Sequence, residues 1–160
     1  MSLELHLSDA AATERLGQQL AASMPAAAVL GLRGELGAGK STVARALLRA
    51  LGVTGPIKSP TYALVEQYSL PGGDALHLDL YRIAEPVELD FLGLADLSGR
   101  ARCWLVEWPE RGGNALPPRD LDLLLQVSGE GRSATLAANT AKGRVWLEEL
   151  SKIAAPGRSV

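Results

Sequence analysis

Gly34-Glu35-Leu36-Gly37-Ala38-Gly39-Lys40-Ser41 satisfies the pattern G-x-x-x-x-G-K-[ST], and each fixed position has a chemical reason. Glycines let the backbone curl until successive amide N–H groups point inward at phosphate oxygens. A helix starting at Lys40 adds its positive N-terminal end at the same point. In such a loop the amides of Gly37, Ala38, Gly39 and Lys40 cradle the phosphates, and the Lys40 side chain reaches the β- and γ-phosphates. The Ser41 hydroxyl is placed to ligate Mg²⁺, and Thr42 adds a hydroxyl near the α-phosphate.

A magnesium-bound nucleotide also needs a carboxylate at the end of another strand, to hold the metal or its water. Two acids end apolar runs: Asp79 after Ala75-Leu76-His77-Leu78, and Glu107 after Trp104-Leu105-Val106. Which of them meets the metal and which orients water stays open at the level of residues. Asp122 begins its run and belongs to the wrong edge. Ser59-Pro60-Thr61 reads either as a nucleotide-sensing segment or as a plain proline turn. Thr13 shares a helical face with Leu16 and Leu20 and is expected to bond its own helix's carbonyl. Trp104, Val106 and Trp108 alternate onto one strand face, as core or interface. His6 and His77 have no companions at metal-ligand spacing and are read as non-ligands. Cys103 sits inside a strand with no histidine nearby and is expected to be a buried, inert thiol.

These groups need a strand before the loop and a helix after it. Ala27–Arg33 is a short apolar run that reads as a strand buried on both faces. Lys40–Leu51 puts Val43, Leu47, Leu48 and Leu51 on one helical face, with Arg45 and Arg49 opposite. Upstream, Leu3–Leu7 alternates as a half-buried strand, and Ser8-Asp9 offers the N-cap of a helix from Ala10 to about Met24. Downstream, Tyr62–Leu70 and Asp74–Arg82 read as a hairpin through Pro71-Gly72-Gly73. Glu85-Pro86 opens one or two short helical turns over Val87–Leu97, and Arg102–Trp108 is a further strand. Glu110–Arg119 is expected to be a mobile loop. Asp120–Ser128 and Ser133–Asn139 flank Gly129-Glu130-Gly131 as a second hairpin, followed by a terminal helix at Val145–Ile153 and a flexible tail at 155–160.

The composition bounds the rest. A chain of 160 residues with 47% hydrophobic content is expected to make one domain with a full core. Its net charge of −2 gives no general electrostatic grip on nucleic acid. One cysteine excludes an internal disulfide and fits a reducing compartment. No run approaches the ~20 apolar residues of a membrane span, and the N-terminus lacks a secretory pattern. A cytoplasmic location away from membranes is the expectation.

The ordered set GELGAGKST (34–42), SPTYALVEQY (59–68), HLDLYRI (77–83) and VEWPER (106–111) closely resembles the TsaE (YjeE) family. Those proteins are bacterial P-loop ATPases of tRNA threonylcarbamoyladenosine (t6A) biosynthesis. The resemblance runs from TERLG (13–17) to GEGR (129–132), nearly the whole chain. It implies an α/β fold: a single P-loop NTPase-like domain over 1–154, with a mixed, partly antiparallel central sheet flanked by helices. It also implies slow, Mg²⁺-dependent ATP hydrolysis, with ATP/ADP and Mg²⁺ as cofactors. The family's partners are TsaD and TsaB, which transfer a threonylcarbamoyl group from an adenylate made by TsaC to tRNA. TsaE does not perform that transfer, and its ATP cycle resets the TsaB–TsaD complex; any contact with tRNA is indirect or transient.

By motif, the resemblance makes Lys40 and the loop amides phosphate-binding, Ser41 and Glu107 metal-linked, and Asp79 a metal- or water-positioning group. It puts Thr13 and Arg132 near the nucleotide base, Ser59, Pro60 and Thr61 in a switch-like segment, and Trp108 close to the site. Three positions depart mildly: Glu35 for the usual Asp, Ser41 for the commoner Thr, and Tyr62 for the frequent Phe. A small-molecule kinase is the alternative, with Arg100, Arg102, Arg111 and Arg119 as possible lid arginines. A GTPase is disfavoured because N-K-x-D is missing and the D-x-x-G matches at Asp90 and Asp96 follow no apolar strand. A nucleotide-dependent interaction module overlaps with the TsaE reading.

Overall fold

The structure, a computed structural model, describes residues 1–154; the tail expected at 155–160 lies outside the described residues. The elements run β1 (Ser2–Leu7), α1 (Ala10–Ser23), β2 (Ala28–Arg33), α2 (Lys40–Leu51), β3 (Val65–Leu70) and β4 (Gly73–Asp79). They continue with α3 (Leu94–Ser98), β5 (Ala101–Glu107), β6 (Leu121–Ser128), β7 (Gly131–Ala138) and α4 (Ala141–Ala154). Tight 3-10 turns lie at Pro86–Leu92, Pro109–Arg111 and Gly113–Ala115.

All seven strands join one sheet in the order β1-β7-β6-β2-β5-β4-β3. Its centre, β6-β2-β5-β4, is parallel, while β7 and β3 run against it and β1, paired antiparallel with β7, points the same way as the centre. The expected α/β domain with a mixed sheet is what forms. Alternation along the central strands splits the core between the two faces of the sheet. Leu30, Leu32, Leu105 and Cys103 pack with Leu16, Leu20, Leu47 and Trp146 from α1, α2 and α4. Val29, Leu76, Leu78, Trp104 and Val106 pack on the opposite face against Leu89 and Leu94. Each fully buried leucine contributes roughly 1.5–3 kcal/mol, so both layers hold the central strands in place.

Local signals start and stop the helices. The Asp9 carboxylate accepts from the Ala12 amide at 2.8 Å and caps α1. Pro86 begins its turn, where the Glu88 carboxylate accepts from the Glu85 amide at 2.7 Å. Several boundaries differ from the sequence reading. β3 begins at Val65, because Pro60–Leu64 forms a turn closed by the Leu64 amide on the Pro60 carbonyl at 2.7 Å. β4 stops at Asp79 instead of running to Arg82, and β5 stops at Glu107. The segment 110–119, expected as a mobile loop, contains tight turns and buries Leu116 in the second core. The terminal helix starts at Ala141, where the Thr140 hydroxyl accepts from the Gly143 amide at 2.9 Å. Among the described residues no helix is long and apolar enough to cross a membrane.

Helix α2, which carries the loop, is seated by α1. Gly17 faces it so closely that a Cβ there would lie 2.6 Å from the Val43 carbonyl oxygen and 2.8 Å from Ala46 Cβ. Helix propensity alone would make Gly17→Ala stabilising by about 1 kcal/mol. The close approach reverses the sign: the variant is expected to lose about 1–3 kcal/mol, read from its urea midpoint at unchanged m-value. Burial pushes the Cys103 thiol up to about 11, against a smaller downward pull from Arg102. It is therefore expected to resist alkylation at neutral pH in the folded protein and to react on unfolding; labelling in the folded state would contradict its burial.

Candidate functional site

β2 ends at Arg33, and the chain turns through Gly34, Gly37 and Gly39 at φ 139°, 81° and 115° before α2 begins. Side-chain-bearing residues rarely adopt those angles, so the glycines of the pattern are what allow the curl. Lys40, at the first turn of α2, is buried. Its ammonium donates to the carbonyl of Gly34 and to that of Glu35 at 2.9 Å, and lies 4.7 Å from the Trp108 ring centroid. No carboxylate among the described residues pairs with it directly. Desolvation lowers its pKa below the usual lysine value, while the charges of Glu107, Asp79 and Glu110 act in the opposite sense.

The parallel register brings the acids to the loop. Asp79 at the end of β4 stands opposite Glu107 at the end of β5, and Glu107 stands opposite Leu32 of β2. This is the carboxyl end of the parallel strands, where open α/β sheets bind ligands. Asp79 accepts from the Tyr81 amide at 3.0 Å and from the Thr61 hydroxyl at 3.3 Å. Glu107 Oε2 lies 2.7 Å from His77 Nε2 in a buried contact. Lys40, Ser41, Thr61, Asp79, Glu107 and Trp108 line a cleft of about 230 Å³. A second hollow of about 270 Å³ is lined by Thr13, Gly131 and Arg132 and shares Gly37, Gly39 and Thr42 with the first. The two together follow the loop on both sides.

Thus the structure assembles Lys40, Ser41, Thr42, Asp79 and Glu107 at one cleft and Thr13 and Arg132 at its neighbour. Thr13 also makes the expected bond to its own helix, to the Asp9 carbonyl at 3.4 Å. Arg132 does more than border the hollow: it donates to the carbonyls of Ala38 at 3.0 Å and Gly37 at 3.3 Å. Trp108 packs at the margin of the core that holds Trp104 and Val106 and also reaches the cleft. β5 ends one residue earlier, φ at Trp108 is 57°, and the ring lies over Lys40 while Trp104 and Val106 stay in the core. His77, set aside by spacing, proves to be the hydrogen-bond partner of Glu107; its place two residues before Asp79 on the same strand face was the available signal. Asp122 pairs with Arg119 at 2.7 Å, away from the cleft.

The donor set fits magnesium held on a nucleotide. No cluster of three or more His, Cys, Asp or Glu suited to a metal occurs among the described residues, so a complete protein cage is missing. Mg²⁺ commonly takes one or two protein oxygens and completes its shell with phosphates and water. Ser41, Asp79 and Glu107 offer such oxygens beside the loop that would carry the phosphates. Three of the four arginines of the kinase alternative are engaged elsewhere: Arg100 near Asp74 at 3.7 Å, Arg102 on the Pro71 carbonyl and Arg119 on Asp122. Only Arg111 approaches the site, 5.7 Å from the Trp108 ring centroid.

A strand, a glycine loop and a helix at the carboxyl end of a largely parallel sheet define a P-loop NTPase-like domain. The family model for "Threonylcarbamoyl adenosine biosynthesis protein TsaE" matches residues 7–134. The tRNA threonylcarbamoyladenosine biosynthesis protein TsaE of Haemophilus influenzae is 42% identical over 113 residues, 71% of this chain and 72% of that protein. The TsaE of Bacillus subtilis is 32% identical over 142 residues, 88% of each chain. The crystal structure of Bacillus subtilis YdiB superposes with a TM-score of 0.80 at 25% identity, covering 95% of both chains. The chain belongs to the TsaE family of tRNA threonylcarbamoyladenosine biosynthesis.

Trp104 and Trp146 are buried, whereas Trp108 is half-buried at the cleft. Adding ADP is therefore expected to change the tryptophan emission, and Trp108→Phe to remove the change. A full response surviving in that variant would assign it to another tryptophan and detach Trp108 from the site.

Proposed function

We propose that the chain binds ATP with Mg²⁺ in the cleft and hydrolyses it slowly, in service of t6A modification, by acting on a TsaB–TsaD complex. The group transfer itself belongs to the partners. The observation that carries the nucleotide reading is Lys40: a buried ammonium with no direct carboxylate pair among the described residues, at the start of a helix and beneath a glycine loop. Such a group is under-compensated, and a polyphosphate supplies the missing negative charge. The amides of Gly37, Ala38, Gly39 and Lys40 receive phosphate oxygens, and the Lys40 ammonium exchanges its loop carbonyls for the β- and γ-phosphates.

Ser41 and Glu107 would hold the metal, directly or through its water, and bound magnesium would neutralise charge on the phosphate oxygens. Asp79 is fixed by Thr61 and the Tyr81 amide and orients the attacking water, so the 59–61 segment is coupled to the reactive end. The base occupies the adjoining hollow between Thr13 and Arg132. Leu36 on the loop is 67% exposed, and Tyr62, next to Thr61, is 83% exposed. Large apolar side chains left in solvent beside the cleft suit a surface that a protein partner covers. tRNA contact is indirect or transient, and the protein works in the cytoplasm.

The test is ATP hydrolysis by the purified chain, alone and with TsaB and TsaD. A slow basal rate that rises with the partners and disappears in Lys40→Ala is expected. A rate indifferent to the partners, or retained in Lys40→Ala, would contradict the proposal. In parallel, ADP at a hundred times its Kd is expected to stabilise the wild-type fold by about 2.7 kcal/mol and to leave Lys40→Ala unaffected.

A further inference from the structure

Glu107 and His77 are each only 3% exposed, and their contact at 2.7 Å is buried between β4 and β5. With Glu107 as the carboxylate that a metal would need, the ring nitrogen His77 Nε2 is the donor of this hydrogen bond. Nδ1 is enclosed and without a hydrogen-bond partner among the described residues. An unpartnered buried polar atom costs free energy that an aliphatic side chain at the same place would avoid. The ring's one hydrogen bond among the described residues goes to Glu107, and that bond is what a histidine supplies here.

The rest of Glu107 is as telling. Its Oε1 makes no hydrogen bond among the described residues, yet it is not among the enclosed, unpartnered atoms. With Oε2 tied to His77, Oε1 is the oxygen open to the cleft that Glu107 lines. Without His77 the carboxylate would lose its one side-chain donor in a buried setting and could turn toward the Lys40 ammonium, whose charge it already feels.

We propose that His77 is a positioning residue for the metal–nucleotide site: its Nε2–H bond fixes the Glu107 carboxylate so that one oxygen stays available to magnesium or its water. This rests on the reading of the cleft as a magnesium–nucleotide site. Partners of this kind orient a metal-linked group, and losing one typically weakens metal affinity by about 10–100-fold. The effect belongs to the metal and not to the phosphates, which the loop and Lys40 hold.

The experiment is calorimetric titration of ADP in EDTA and at a series of Mg²⁺ concentrations, for wild type, His77→Leu, His77→Asn and His77→Gln. His77→Leu removes the donor, and His77→Asn keeps polarity but falls short of Oε2, so either serves if the other does not fold. His77→Gln places an amide N–H near the position of Nε2. The expected result is an increase of about tenfold in the Mg²⁺ concentration needed to tighten ADP binding in the Leu and Asn variants. ADP affinity in EDTA stays within about twofold of wild type, and His77→Gln restores the Mg²⁺ response. An unchanged Mg²⁺ response in the Leu and Asn variants would overturn the proposal. So would equal losses with and without Mg²⁺, which mark a merely structural residue. If wild-type ADP binding itself shows no Mg²⁺ dependence, the underlying reading of the cleft fails, a result distinct from failure of His77 alone.

Discussion

A buried positive charge without a direct ion-pair partner among the described residues is the constraint that the rest of this molecule accommodates. Lys40 places its ammonium under the loop, where desolvation lowers its pKa and two loop carbonyls are its hydrogen-bond acceptors. Glu107, Asp79 and Glu110 keep the charged form favourable from a distance. Were one of them to close on the ammonium, the site would be neutral and finished. Because they do not, negative charge is wanted above Lys40 and positive charge beside Asp79 and Glu107, the pattern that a metal-bound polyphosphate satisfies.

Holding the groups at those distances is the task of the sheet and its helices. The parallel register aligns the ends of β2, β5 and β4, so residues distant in sequence meet at one edge. α2 must sit close to α1, which the small residue at Gly17 permits. From the antiparallel half of the sheet, Arg132 of β7 reaches the carbonyls of Gly37 and Ala38 and fastens the loop from its far side. The fold thus grips the loop from three elements: the strand before it, the helix after it and a hairpin remote in sequence.

The loop, its flanking strand and helix, and the two acids were legible in the sequence because each is a local pattern. A glycine spacing is contiguous, and Asp79 and Glu107 each end an apolar run. The bond between His77 and Glu107 was not legible, since it depends on the register between β4 and β5 and joins residues thirty positions apart. The end of β5 was set one residue too late, at Trp108, past the point where a positive φ turns the chain. The same happened at β4, extended to Arg82 by composition although the backbone leaves the sheet at Asp79, where the Tyr81 amide turns back to the carboxylate. Pattern reading found the chemical groups, and only tertiary pairing revealed which of them support one another.

In the proposed site, loop, strand-end acids and nucleotide-bound metal meet at a single point. Mn²⁺ in place of Mg²⁺ makes that point visible, because the paramagnetic ion broadens nearby amide signals in a ¹⁵N NMR spectrum. With ADP present, broadening is expected at Gly39–Thr42 and beside Asp79 and Glu107, with the start of α4 at Lys142 and Gly143, beside Ala27 and Asp120, unaffected. Broadening confined to another surface, or spread without a centre, would contradict the account.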